Sequence, residues 1–166
     1  ITGFQGPLFG PINLTVRRGE IVGLAGAEGN GQGEFFKCLS GQIPPKAGLV
    51  MCDGRELTLI SPADAVNAGI LLLAGNRKHE ALFPVLGVRN NATIQVLDKF
   101  SNLGLVNRNQ ERETVKTLVS RLKVRTPSLE QPVQFLSGGN QQKVSLTRPH
   151  LRETVNVILA YEPTQG

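Results

Sequence analysis

The residues whose types and spacing could do chemistry are the glycines and polar groups of Gly26-Ala27-Glu28-Gly29-Asn30-Gly31-Gln32-Gly33. The apolar run Glu20-Ile21-Val22-Gly23-Leu24-Ala25 before them predicts a buried strand, and Glu34-Phe35-Phe36-Lys37-Cys38-Leu39 after them predicts a helix. Strand, glycine loop and helix together aim backbone N–H groups and a helix N-terminus at a phosphate. The phosphate-loop pattern is G-x-x-x-x-G-K-[ST]. Its glycines fall at Gly26 and Gly31, but Gln32 and Gly33 stand where the lysine and the hydroxyl belong. A unit charge pair at ~4 Å is worth about 4 kcal/mol at an effective dielectric of ~20, so an uncharged Gln32 is a large loss for an anionic ligand. Gly33 offers no metal ligand. Two readings stay open: weak or Mg²⁺-independent nucleotide binding by Gly26, Glu28, Gly29, Asn30, Gly31, Gln32, Gly33 and Glu34, or a glycine turn kept for folding.

The chain that must position this loop has 166 residues, enough for one domain that buries about 70% of its unfolded surface. With 40% hydrophobic and 19% charged residues it is neither disordered nor fibrous. No apolar run reaches the ~20 residues of a membrane-crossing helix, and neither a leader nor an initial Met is present, so a piece of something longer is expected. Cys38 and Cys52 stand apart with no second Cys or His beside them, which argues for reduced core thiols over a metal site. The net charge of +5 would suit a polyanion, but it is scattered, and aromatics are only 5%. Nucleic acid is therefore a minor reading.

Around the loop, Pro11–Val16 alternates as a half-exposed strand does, and residues 49–59 read as a hairpin about the Asp53-Gly54 turn. Ser61-Pro62-Ala63-Asp64 is a helix start with Ser as N-cap and Pro in the first turn. Residues 70–74 predict a second buried strand. Val88, Ala92, Val96 and Phe100 make one face of a helix over 88–100, and Val115, Leu118, Val119 and Leu122 one over 107–124. A further helix starts after Ser137 and stops near Pro149, and Val155–Tyr161 is a last strand. Strands alternating with helices give an α/β core with a mostly parallel sheet, and a helical insert between about 76 and 135.

Leu136-Ser137-Gly138-Gly139-Asn140-Gln141-Gln142-Lys143 is the most specific string in the chain. It resembles the LSGGQ signature of ABC-transporter ATPases, in the LSGGNQQK form of sugar and nucleoside importers. Ile158-Leu159-Ala160-Tyr161-Glu162-Pro163-Thr164 resembles their Walker B strand, which usually ends Asp-Glu-Pro-Thr. Arg77–Pro84 and Leu86–Asn91 resemble the segment after their Q-loop. Phosphate loop, insert, signature and Walker B stand in family order, and the likeness is greatest to the second of two fused ATPase domains.

The resemblance implies a P-loop NTPase fold: a RecA-like α/β core (residues 1–75 and 138–166) with a helical subdomain over about 76–137, in a single nucleotide-binding domain truncated at both ends. It implies ATP and Mg²⁺ as cofactors, Glu162 as the catalytic carboxylate, and Ser137, Gly138, Gly139 and Asn140 as the anion-stabilising end of the signature helix, directed at a site on the opposite domain. Against the family pattern stand Gly33, Tyr161 for the Walker B Asp, and Gly75 for the Q-loop residue, each a group that attends Mg²⁺. A strand-end carboxylate is the alternative for Glu162, an ordinary N-cap for Ser137, and core packing is favoured over adenine stacking for Phe4 and Phe9. The switch His and the D-loop Asp would lie beyond Gly166, and His79 and His150 match neither.

The implied function is a sugar or nucleoside importer's nucleotide-binding domain with a degenerate site of its own and a signature helix completing a partner's. The implied partners are a second ATPase domain or a second copy, permease membrane subunits and, indirectly, a substrate-binding protein. Its place would be cytoplasmic, at the inner face of the cell membrane. The alternatives are an ATPase active despite Gln32, Gly33 and Tyr161, a non-transport ABC protein acting on nucleic acid, and a decayed fragment.

Overall fold

The computed structural model describes residues 1–27, 29–73 and 81–162. Two compact units divide the chain: Ile1–Leu72 with Val155–Tyr161, and Leu73–Thr154 with Glu162–Gly166.

The first unit carries the glycine loop. β1 (Thr2–Gln5), β2 (Ala47–Cys52) and β3 (Arg55–Leu57) form an antiparallel sheet in that order. The hairpin is the one expected: Asp53 and Gly54 both take positive φ (48° and 77°) between Cys52 and its partner Arg55, which matches a tight primed turn. The strand expected over Pro11–Val16 is reduced to a bridge between Ile12 and Phe4. β4 (Ile70–Leu73) pairs with β7 (Val157–Ala160). Gly69, at the entry to β4, accepts from the N–H groups of Asn156 and Val157 at the entry to β7, so the two strands run the same way. In chain order α1 (Gln32–Leu39) follows β1 and α2 (Pro62–Asn67) follows β3, and Ser61 and Asp64 form a reciprocal capping box at the start of α2. The core is aromatic: Phe4, Phe9 and Phe35 sit with ring centroids 5.5–6.0 Å apart. Phe4 and Phe9 are thus packing residues.

The buried strand expected over residues 20–25 is not formed. The segment is irregular and exposed, with Ile21 at 97%. Apolar composition foretells a strand only where the sheet supplies a neighbour, and among the described residues no strand pairs with this run.

The second unit is helical. α3 (Val88–Thr93), α4 (Arg108–Arg121), α5 (Gly138–Ser145) and α6 (Thr147–Leu151) enclose one core that includes Val88, Phe100, Val115, Val133 and Val144. A two-strand ribbon, β5 (Ser101–Asn102) and β6 (Leu105–Val106), turns through Leu103 and Gly104 at positive φ. The helix expected over 88–100 ends at Thr93 and resumes as a 3-10 turn over Leu97–Phe100. Arg148 Nε donates to the Asn91 carbonyl (3.0 Å) and Arg152 Nη2 to that of Gln95 (3.0 Å), and these bonds take carbonyls that a continued helix would use. All four apolar residues of the expected face are nonetheless buried. The helix after Ser137 breaks at Leu146, before Pro149. Pro149 sits in the first turn of α6, where a missing N–H costs little. Residues 138–154 pack with this unit.

Candidate functional site

The phosphate-loop residues are built on the N-terminus of α1. Gly31, at φ 87°, is the residue before the helix, and a Cβ there would lie 2.4 Å from the Leu8 carbonyl oxygen. Glycine is required on both counts. Gly29 is also left-handed, at φ 84°, and open to solvent. Gln32, in the lysine position, folds back along its own loop. Its Nε2 donates to the Ala27 carbonyl at 3.3 Å, and a Cβ on Gly26 would meet that nitrogen at 2.2 Å. Asn30 N–H donates to the same carbonyl. Glu34 lies in the first turn of α1 and bears on Cys38 one turn further on, where burial first and this carboxylate second push the thiol pKa up. Glu28 and Gly75 lie outside the described residues, as does His79.

The structure brings Gly33 and Tyr161 together. The Tyr161 ring, just past the end of β7, lies on α1 with its centroid 5.9 Å from that of Phe36. A Cβ on Gly33 would sit 3.4 Å from Tyr161 Oη and 3.5 Å from Cζ. A phenol therefore stands beside the position that would hold the metal-binding hydroxyl. A hard divalent cation takes several oxygen ligands, carboxylates foremost. Among the described residues no group of His, Cys, Asp and Glu side chains is arranged to hold a metal ion. Gln32 and Gly33 offer Mg²⁺ neither a hydroxyl nor a carboxylate.

Glu162 follows Tyr161 with φ 46°, a left-handed backbone that costs a non-glycine residue about 1 kcal/mol. It is exposed.

The signature residues lie in the second unit. Ser137 occupies the N-cap of α5 but makes no side-chain cap hydrogen bond. Its Oγ accepts instead from Asn140 Nδ2 at 2.9 Å, while Asn140 Oδ1 accepts from the Arg125 N–H at 2.8 Å. The backbone donor settles which way the amide faces. Because Ser137 Oγ is an acceptor here, its one proton points elsewhere. Ser137, Gly138 and Gly139 are exposed, and a Cβ on Gly139 would meet nothing within 4 Å. Another body can come close to this helix end. The clamp from Arg125 had no signal in the sequence, because it runs through a backbone N–H, and the fit of Tyr161 on Gly33 would have required knowing that α1 and β7 are neighbours.

A glycine loop opening a helix in an α/β unit, and a Ser-Gly-Gly helix start in a helical one, define the class of P-loop nucleotide-binding cassettes. The family model described as ABC transporter matches residues 9–165, and the chain belongs to that family. It is 42% identical over 168 residues to an arabinose import ATP-binding protein, AraG, of Pseudomonas syringae pv. syringae, aligning over 100% of this chain and 33% of that protein. A second AraG, from Burkholderia cenocepacia, is 42% identical over 166 residues, covering 99% and 32%. The chain thus spans about a third of the length of the curated relatives it matches. Among solved structures, the ATP-binding cassette MJ0796, in a dimeric post-hydrolysis state bound to ADP and Pi, superposes with a TM-score of 0.76 at 20% identity, covering 99% of this chain and 72% of that one. The cbiO1 protein of Clostridium perfringens, part of the ABC transporter complex cbiONQ, gives 0.72 at 21%, covering 96% and 60%. The fold is the P-loop α/β cassette with its helical insert. No helix of the described residues is long and apolar enough to cross a membrane.

Proposed function

We propose that this chain is a nucleotide-binding domain of a sugar importer of the arabinose type, and that its working contribution is the α5 N-terminus. Ser137, Gly138, Gly139 and Asn140 complete an ATP site whose phosphate loop belongs to a second ATPase domain or a second copy. The domain's own site, at Gly26 to Glu34 with Glu162 as its carboxylate, is degenerate. The domain works at the inner face of the cell membrane against permease subunits, with a substrate-binding protein acting through them. Core and helical subdomain divide the work, the one holding the loop and the other the signature.

The observation that carries this reading is the exposed Ser137, held off its own helix by Asn140 so that its hydroxyl proton is directed away from Asn140. Helix N-terminus and hydroxyl together stabilise anionic charge without a metal. The test is ATP turnover in the assembled transporter carrying Ser137→Arg. We expect a fall of about 100-fold, the scale of losing one such donor, with nucleotide affinity kept at the partner's loop. Unchanged turnover overturns the signature role. Robust Mg²⁺-dependent turnover by this chain alone overturns the degenerate site and favours an active ATPase.

A further inference from the structure

Gly33 and Tyr161 are a single steric unit. The Tyr161 ring lies across the first turn of α1, over Gly33 and against Phe36 one turn on, with its centroid 5.9 Å from that of Phe36. Its Oη and Cζ would be 3.4 and 3.5 Å from a Cβ on residue 33, so alanine would just touch the ring. A threonine or serine carries its oxygen a bond length further out. That oxygen must either meet the phenol or turn away from it. The ring lies where a hydroxyl at 33 and its metal would need room. Gln32 turns one N–H of its amide back to the Ala27 carbonyl.

We infer that Tyr161 is a plug: it occupies the cation's place against α1 and closes this chain's own phosphate loop to divalent metal. Any nucleoside polyphosphate held by the Gly26–Gly33 backbone is held as the cation-free anion. This rests on the reading of the loop as a degenerate nucleotide site and adds what closes it. The two residues act together: removing the ring clears the place but leaves the hydroxyl missing, so Tyr161→Asp alone reopens the site only in part.

The experiment measures Mn²⁺ binding by electron paramagnetic resonance, and ATP and ADP binding by calorimetry in excess MgCl₂ and in excess EDTA. It uses the full 166-residue chain, Gly33→Thr, Tyr161→Asp and the double variant. For the unmodified chain we expect no protein-bound Mn²⁺ with nucleotide present, and affinities that agree within about threefold in the two buffers. The double variant gains bound Mn²⁺ and at least about tenfold tighter nucleotide binding in MgCl₂ than in EDTA, a difference of ~1.4 kcal/mol. Gly33→Thr alone gains neither, and Tyr161→Asp alone gains less than the double variant. Protein-bound Mn²⁺ in the unmodified chain, full recovery by one change, or no gain in a double variant that keeps its circular dichroism, overturns the plug. If the unmodified chain binds no nucleotide in either buffer, the degenerate-site reading stands and the double variant alone decides the plug. Failure of the signature role leaves all of these outcomes untouched.

Discussion

Asn91 shows how much one polar side chain can organise. It is fully buried in α3; its Oδ1 accepts from the Phe83 N–H at 2.8 Å, and its Nδ2 reaches the carbonyls of Phe83, Leu86 and Gly87 at 3.0–3.2 Å. The amide has two donors for three acceptors, so one is shared, and the loop 83–87 is fastened at both ends. Asn91→Leu should cost about 3 kcal/mol, since it leaves buried backbone groups without partners, and urea denaturation would measure it. Cys38 is a second residue-scale case. It is fully buried, and burial, with Glu34 behind it, raises its pKa. A folded thiol with a raised pKa keeps its proton after the unfolded one has lost it, so its contribution is complete below the unfolded pKa and declines as pH rises toward the folded one. The stability of the chain should therefore fall from about pH 8.5, where an unfolded thiol ionises, and Cys38→Ala should remove that part of the slope. At neutral pH a thiol reagent should modify Cys52 quickly and Cys38 only on unfolding. Of the two cysteines the sequence reads as core thiols, Cys38 is buried and Cys52 only half-buried; Asn91 had no such signal, because an amide that serves four backbone groups looks like any other polar helix residue.

At the scale of elements, α3 and α4 are joined by an ion pair that α4's apolar face does not reveal. Glu111 is 1% exposed, in the first turn of α4; its Oε2 accepts from Arg89 Nη1 at 2.5 Å and its Oε1 from Thr93 Oγ1 at 2.7 Å. Removing one partner of such a pair strands the other. Glu111→Ala should lose about 3–5 kcal/mol, seen as a lower denaturation midpoint, and Glu111→Gln should lose less because it still accepts from Thr93. From sequence, Arg108-Asn109-Gln110-Glu111 reads only as a polar helix opening. The same limit explains the break after Thr93: spacing of four identifies the buried face, but the bonds from Arg148 and Arg152 that end the helix come from residues more than fifty positions away. Where the determinants are local, as in the Asp53-Gly54 turn and the Ser61 N-cap, sequence and structure agree.

For the whole molecule, the two units have separate cores, one built on the Phe4, Phe9 and Phe35 rings and the other on α3 to α6. Stability is then local to each. Phe35→Ala should cost about 3–5 kcal/mol, and hydrogen exchange should show faster amides in α1 and β4 while those of α4 change little. The order of motifs made the family legible because those strings are local. The segment 20–25 carries its own consequence for handling the protein. Ile21, Val22 and Leu24 are exposed, and their backbone joins no described sheet. A short β-prone run with unpaired amides is a template for strand pairing between molecules. Colloidal stability of the purified chain should thus be set by these few residues, independently of its thermal stability. Ile21→Lys should raise the concentration at which light scattering begins and leave the melting temperature unchanged.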